Sequence, residues 1–290
     1  YSMLRSLVGS EMCIRDRPMG LYPIEAIKQD ARRFDVTFLN PSVNFSGAKS
    51  SCNKNSLLLG LEFVKGVGIR HAKDIIEERD ENGLFLSVGD FVRRVPVDAT
   101  LVESLIYSGA FDSISGSSCN RKKFLWEAGI YPTPSGANRS LPLLMDDSIP
   151  ELIDFSSYEK MLGEYKYMDI YPSGHIMDFI RHKLPSNTKQ AIDIYSLPVG
   201  QEVTVAGWAI ARQHPSGNKG TVFVTVEDET GDVQLIVWRD VFDQYKHLLK
   251  EPLLLATGLI SNWDGTTNIV VSTLRTITAT AELPAGHDWH

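Results

Sequence analysis

The sequence predicts a multidomain α+β protein in which short helices, punctuated by glycine, precede a small barrel of five β-strands. Three observations carry that prediction. Apolar residues recur at helical spacing between Leu57 and Trp126, a proline-rich stretch from Tyr131 to Asp154 interrupts them, and from Glu202 onward the apolar period falls to two.

At 290 residues the chain has room for two to three small domains, and 43% hydrophobic with 22% charged residues is an ordinary globular composition. The formal net charge of -7 argues against a protein that holds nucleic acid by overall positive charge. Any such role must rest on local geometry. No run approaches the roughly 18 apolar residues of a membrane span, and none of the three cysteines has a CxxC or Cys/His ligand spacing. The reading is a cytoplasmic, reduced, metal-free chain with no membrane partner.

Residues 1–17 stand apart. Leu7 through Arg17 can be back-translated into a run that resembles a transposase-based sequencing adapter, so this segment is expected to be an adapter-derived artefact, with the gene cut off upstream. Residues 18–56 begin with an amphipathic helix near Tyr22–Phe34, where Ile24, Ile27, Ala31 and Phe34 share a face and Pro23 suits the first turn. Pro41, Asn44, Ser46 and Gly47 then break the pattern into a strand-like stretch and a loop. Residues 57–130 read as short helices broken at Gly66, Gly68, Gly83, Pro96 and Gly109. Residues 131–157 form a Pro-rich linker, and residues 158–198 a helical connector with helices near Tyr158–Tyr167 and Ile176–His182.

In residues 199–280 Val203, Val205, Gly207 and Ala209 alternate, as do Val222, Val224 and Val226, then Val233, Leu235 and Val237. A helix near Asp240–Leu249 follows, then strands near Leu253–Ile260 and Thr267–Leu274. Five half-buried strands with a helix between the third and fourth is the layout of an OB-fold barrel. Residues 281–290 are a C-terminal tail.

Val64-Lys65-Gly66-Val67-Gly68-Ile69-Arg70-His71-Ala72 has the apolar-x-Gly-x-Gly-x-x-x-Ala form of a helix-hairpin-helix. Two glycines let the backbone turn sharply and approach a phosphate, which then meets free N–H groups at the start of the next helix. Such contacts read no bases. The candidate duplex-phosphate residues are Lys65, Gly66, Val67, Gly68, Arg70 and Lys73, and the competing reading is an ordinary helix-to-helix turn with a glycine cap. A weaker second hairpin runs from Leu101 to Phe111, where Ser108-Gly109-Ala110 precedes Arg121, Lys122 and Lys123; plain packing is the alternative there.

On the barrel, single strands stack on outward aromatic rings and touch the first and last hairpin loops. Alternation turns Phe223 outward, and Arg212, His214, Lys219 and Trp263 sit in or beside those loops. Residues 199–280 hold six basic against nine acidic side chains, a net of -3, so single-strand binding should be weak and salt-sensitive. Trp238 reads as core, and Glu227, Asp228, Glu229 and Asp232 read as a solvated turn. No nucleophile triad, phosphate loop or Asp-x-Asp metal pair emerges, so no catalytic or metal-binding residue is assigned.

Taken together these segments resemble the C-terminal part of bacterial C-family DNA polymerases of the DNA polymerase III alpha type. The likeness rests on Tyr22-Pro23 through Arg33, Val43-Asn44-Phe45-Ser46, Gly60 through Gly68, Phe85 to Phe91, Leu105 through Asp112, and Glu164-Tyr165 to Arg181 around Ser173-Gly174-His175, although Ile176 stands where that family often has proline. Residues 18–56 resemble the end of its fingers domain. Arg212-Gln213-His214-Pro215, Lys219 to Phe223 and Val226 to Gly231 are similar to the error-prone branch used in damage tolerance. The resemblance implies a DNA-directed polymerase parent with primer-template duplex and single-stranded template as partners. It also implies a palm domain with catalytic aspartates and Mg2+, upstream of this fragment, and translesion subunits as further partners. Ser140-Leu141-Pro142-Leu143-Leu144 lies where such subunits can carry a sliding-clamp peptide, so Ser140, Leu141, Leu143 and Leu144 are candidate clamp contacts, despite lacking the usual first Gln and final Phe. A free-standing nucleic-acid-binding module and a protein-interaction scaffold are the competing readings.

Overall fold

The computed structural model describes residues 24–32, 34–116, 119–130, 152–214, 220–263, 265–277 and 287–289. The chain forms two compact units, one of residues 34–173 and one that joins residues 18–33 to residues 174–290. Helix α1 (Ile24–Arg32) therefore belongs with the barrel unit.

In the helical unit, β1 (Thr37–Leu39), β2 (Ser51–Asn53) and β3 (Ser56–Leu58) make a small sheet in the order β1-β3-β2, parallel between β1 and β3. Helices α2 (Ile69–Asn82), α3 (Val88–Arg94), α4 (Ala99–Tyr107), α5 (Asp112–Ser115), α6 (Arg121–Ile130) and α7 (Ser157–Met168) follow. Local chemistry sets several starts. The Ser87 hydroxyl accepts from the Asp90 amide at 3.0 Å, Asp98 from Leu101 at 2.8 Å, and Ser156 with Glu159 closes a capping box. The core is aromatic: Phe91 meets Phe85 and Phe111 edge-on, each at 5.0 Å between centroids. The expected helical run from Leu57 starts later than the periodicity suggested. Residues 56–58 are extended because they pair with β1 and β2, and only a single 3-10 turn, Leu61–Phe63, precedes the glycines.

The barrel unit contains short helices α8 (Ile176–Ile180) and α9 (Ala191–Ile194), the two-residue strand β4 (Thr188–Lys189), and the strands β5 (Glu202–Gln213), β6 (Val222–Glu227), β7 (Asp232–Val237), β8 (Leu253–Trp263) and β9 (Thr266–Thr276). Helix α10 (Arg239–Tyr245) lies between β7 and β8 in the chain. Pairing runs β5-β6-β7-β9-β8 and closes β8 onto β5, with β7 and β9 parallel, which is a closed five-stranded barrel. Val222, Val224, Val226, Val233, Leu235 and Val237 fill its interior, as the alternation predicted. β5 departs from the half-buried expectation. Its residues 203–212 are buried on both faces, because the outer side is covered too, with Trp208 placed 6.4 Å from the His175 ring. A last strand, β10 (His287–Trp289), pairs in parallel with Ala211–Gln213.

Candidate nucleic-acid interface

The first glycine turn is built on two buried valines. Val64 and Val67 are 1% and 3% exposed, and the Val67 amide donates to Val64 O at 2.9 Å, closing the turn. Gly66 takes φ +92, a conformation that costs a side chain strain. Gly68 is extended, φ -77 and ψ 172, and is the N-cap of α2. The first bond of the helical ladder is Ala72 N–H to Gly68 O at 3.0 Å, so the amides of Ile69, Arg70 and His71 precede the ladder. A Cβ at Gly66 or Gly68 would meet nothing within 4 Å. The turn is open on its outer side. Arg70 and Lys73 are exposed beside it, three residues apart on one helical face. Lys65 is differently employed: its amide donates to Tyr167 O at 2.8 Å and its ammonium binds Asp169 Oδ1 at 2.7 Å and Lys166 O at 2.9 Å. It anchors the turn to the end of α7, which corrects its assignment as a free phosphate-binding cation.

The second glycine turn is closed. Gly109 takes φ +81, and a Cβ there would lie 2.4 Å from Arg121 Nη2 and from Asn40 Nδ2. Arg121, 3% exposed, donates to Asp112 Oδ1 and Oδ2 at 3.0 and 2.6 Å, to Glu164 Oε1 at 2.7 Å and to Tyr107 O at 3.1 Å. Asn40 Nδ2 bridges Ser108 O and Glu164 Oε1 at 3.0 and 2.9 Å. Burial opposes the Arg121 charge, but Asp112 and Glu164 hold its pKa above the ordinary arginine value. Burial pushes the Glu164 carboxyl up, opposed by Arg121 and Asn40. Arg121 is thus the lock of a packing turn.

On the barrel, Phe223 points away from the interior and is half-buried, opposite Gln213 on β5 and Ile236 on β7. The register continues that outward row through Val270 on β9 to Leu259 on β8, which is 49% exposed. Trp263 is 59% exposed at the end of β8, and the exposed His214 ring lies edge-on to Phe242 at 5.9 Å. Arg212 corrects the loop assignment. It is 6% exposed and its guanidinium donates to Leu249 O and, at 2.7 Å, to Glu251 O, because β5 runs on to Gln213 and draws Arg212 into the fold. Trp238 departs the other way: it is 41% exposed at the N-cap of α10. Lys219, Ser140, Leu141, Leu143 and Leu144 lie outside the described residues, as do residues 1–17.

Known proteins match the chain in the same order as its units. Residues 35–123 match the helix-hairpin-helix motif family and residues 203–277 the OB-fold nucleic acid binding domain family. The error-prone DNA polymerase of Mycolicibacterium paratuberculosis is 31% identical over 269 residues, 91% of this chain and 24% of that protein. The chain is a relative of the error-prone DNA polymerases. The error-prone DNA polymerase of Rhodopirellula baltica is 30% identical over 88% of this chain and 23% of its own length. The chain spans about a quarter of the length of the curated relatives it matches. Among solved structures, asparaginyl-tRNA synthetase from Pyrococcus horikoshii complexed with asparaginyl-adenylate aligns with TM-score 0.30 at 21% identity, over 34% of this chain and 24% of its own. The two matched families are those of the C-terminal part of the DNA polymerase III alpha type, so the chain carries a DNA-binding part of a polymerase.

The acidic residues after β6 are the feature that sequence reasoning misplaced. Glu227 and Asp228 are each 2% exposed, not solvated. Asp228 Oδ1 accepts from the Thr230 hydroxyl and the Thr230 and Gly231 amides at 2.6, 2.8 and 3.1 Å, while Oδ2 accepts from the Ala191 amide at 2.8 Å and Arg181 at 2.7 Å. Glu229 takes both Arg181 Nε and Nη2 at 2.8 Å. The local signal was present, since Asp followed by Thr and Gly is an Asx-turn pattern. Its partner Arg181 was not, being 47 residues away. Among the described residues no three His, Cys, Asp or Glu side chains come together to hold a metal ion, and no helix is long and apolar enough to cross a membrane.

Proposed function

We propose that the chain is the template-handling, C-terminal part of an error-prone DNA-directed DNA polymerase acting in replication and translesion synthesis. The Gly66–Gly68 turn holds duplex phosphates, and the outward row of the barrel contacts the single-stranded template. The observation that carries this reading is the open turn at the start of α2: three amides ahead of the helical ladder, space on the outer side, and Arg70 and Lys73 alongside. Backbone amides and two cations recognise phosphate without reading sequence, as a polymerase that travels along any template requires. On the barrel, Phe223 and Trp263 offer ring faces, which stack with any base. Nucleotidyl transfer, and the Mg2+ it uses, belong in this reading to the parent's palm and not to these residues.

The test is equilibrium binding of the 290-residue chain to a labelled primer-template duplex at several salt concentrations, with duplexes of unrelated sequence as competitors. The reading expects affinity that falls steeply with salt and is the same for every sequence. Salt-independent binding, or none at low salt, would overturn it.

A further inference from the structure

The barrel unit buries four titratable side chains together. On α1, Glu25 and Lys28 pair directly at 1% and 0% exposure, and Lys28 Nζ also donates to Gly174 O at 2.6 Å. The next residue, His175, is fully buried, and its Nε2 lies 3.4 Å from Oε1 of Glu227, itself 3% exposed. His175 Nδ1 accepts from the Met177 amide at 3.2 Å. In the neutral ring the proton therefore sits on Nε2, facing the carboxylate. Among the described residues neither His175 Nε2 nor Glu227 Oε1 has any other hydrogen-bond partner.

Charge balance gives this arrangement a consequence. With both carboxylates ionised and the imidazole neutral, two negative charges share one ammonium where water does not reach, and an uncompensated buried charge is strongly unfavourable. One further proton, on His175 or on Glu227, makes the cluster neutral. We propose that the cluster is a proton-linked latch: a proton held between His175 Nε2 and Glu227 Oε1 keeps α1 seated on the barrel, and its release loosens α1. The surrounding charges do not replace that proton. Arg32 sits one turn beyond Lys28 on α1, Asp178 is exposed and accepts the His175 amide at 2.8 Å, and Asp228 with Glu229 is engaged by Arg181.

The direction of the pH response follows. Burial pushes the Glu227 carboxyl up, with His175 and Lys28 opposing. A carboxyl whose folded pKa lies above its unfolded value contributes stability that is full below the ordinary carboxylate range and is lost as pH rises through the raised value. Lys28, pulled down by burial against Glu25 and Glu227, acts in the opposite sense: at alkaline pH the unfolded chain holds a proton that the folded chain has released. A comparison with Glu227→Gln, which keeps the shape and cannot lose a proton, isolates the first effect.

The experiment is hydrogen exchange by mass spectrometry on the whole chain between about pH 5.5 and 8.5, corrected for intrinsic exchange, following Ile24–Arg32 with α2 as internal control. The expected result is a fall of about tenfold or more in protection of Ile24–Arg32 as pH rises, the effect of one unit of pKa shift, with α2 unchanged and Glu227→Gln flat. Carbon-13 titration of the glutamate carboxyls in the unmodified protein should show one of them protonating well above the ordinary range, and this decides the matter if Glu227→Gln does not fold. Protection of Ile24–Arg32 that ignores pH, an unaltered pH response in a folded Glu227→Gln, or no carboxyl titrating above the ordinary range would overturn the latch.

Discussion

The helical unit turns twice on glycine, and the two turns are built in opposite ways. Around Gly66 and Gly68 the space where a side chain would go is empty, and α2 begins with amides not yet used by its own ladder. Around Gly109 that space is filled by Arg121 and Asn40, and the arginine is consumed by Asp112, Glu164 and a carbonyl. Both positions read in sequence as a glycine hairpin followed by basic residues. A glycine that admits a ligand is distinguished from one that admits a neighbouring side chain only by what a Cβ would meet.

Substitutions that attack the closed turn should have the largest effects, and on stability alone. Arg121→Leu strands the Glu164 carboxylate, which is 3% exposed, and should cost about 3–5 kcal/mol in denaturant unfolding near neutral pH. The loss should shrink in acid, because burial raises the Glu164 pKa and the protonated carboxyl carries no charge to strand. An equal loss at both pH values would mean that the guanidinium serves only as packing. Gly109→Ala combines a left-handed φ with contacts at 2.4 Å and should cost roughly 3 kcal/mol by the same measurement.

The barrel offers the next contrast, between an outward ring and an inward cation. Phe223→Ala should weaken binding of single-stranded DNA by about 1–3 kcal/mol, whereas Arg212→Gln should lower the melting temperature because its carbonyl partners Leu249 and Glu251 are left buried. Unchanged single-strand affinity in the first variant would move Phe223 to the packing side. The smallest effects belong to the open turn's cations. Arg70→Gln and Lys73→Gln should each flatten the salt dependence of duplex binding by about 0.9 in the log–log slope, while Lys65→Gln, already paired with Asp169, should flatten it less and destabilise slightly.

Much of the barrel was legible because a strand with one face in a core must alternate, and Val222 to Val226 and Val233 to Val237 do so. The hairpin was legible because its two glycines satisfy a purely local backbone demand. What the sequence hid depended on distant partners. Arg212 looks like a loop cation until the strand is seen to continue past it. Glu227 and Asp228 look solvated until His175 and Arg181 are brought to them from 52 and 47 residues away. Lys28 reads as the polar face of an amphipathic helix, yet its acceptor, Gly174 O, lies 146 residues on. Charge burial is a tertiary fact, and residue type alone argues against it.

The account's central claim is that the Gly66–Gly68 turn is shaped for a phosphate and not for the protein itself. Gly68→Val tests it most directly, because φ -77 suits any residue and a Cβ there meets no atom of the chain within 4 Å. The variant should unfold at the same temperature as the unmodified protein, and its duplex affinity at low salt should fall about tenfold or more, the loss of roughly one charge-assisted hydrogen bond. A folded Gly68→Val that binds duplex as tightly, and with the same salt dependence, would contradict the claim and leave the turn as a helix-to-helix connection like the one at Gly109.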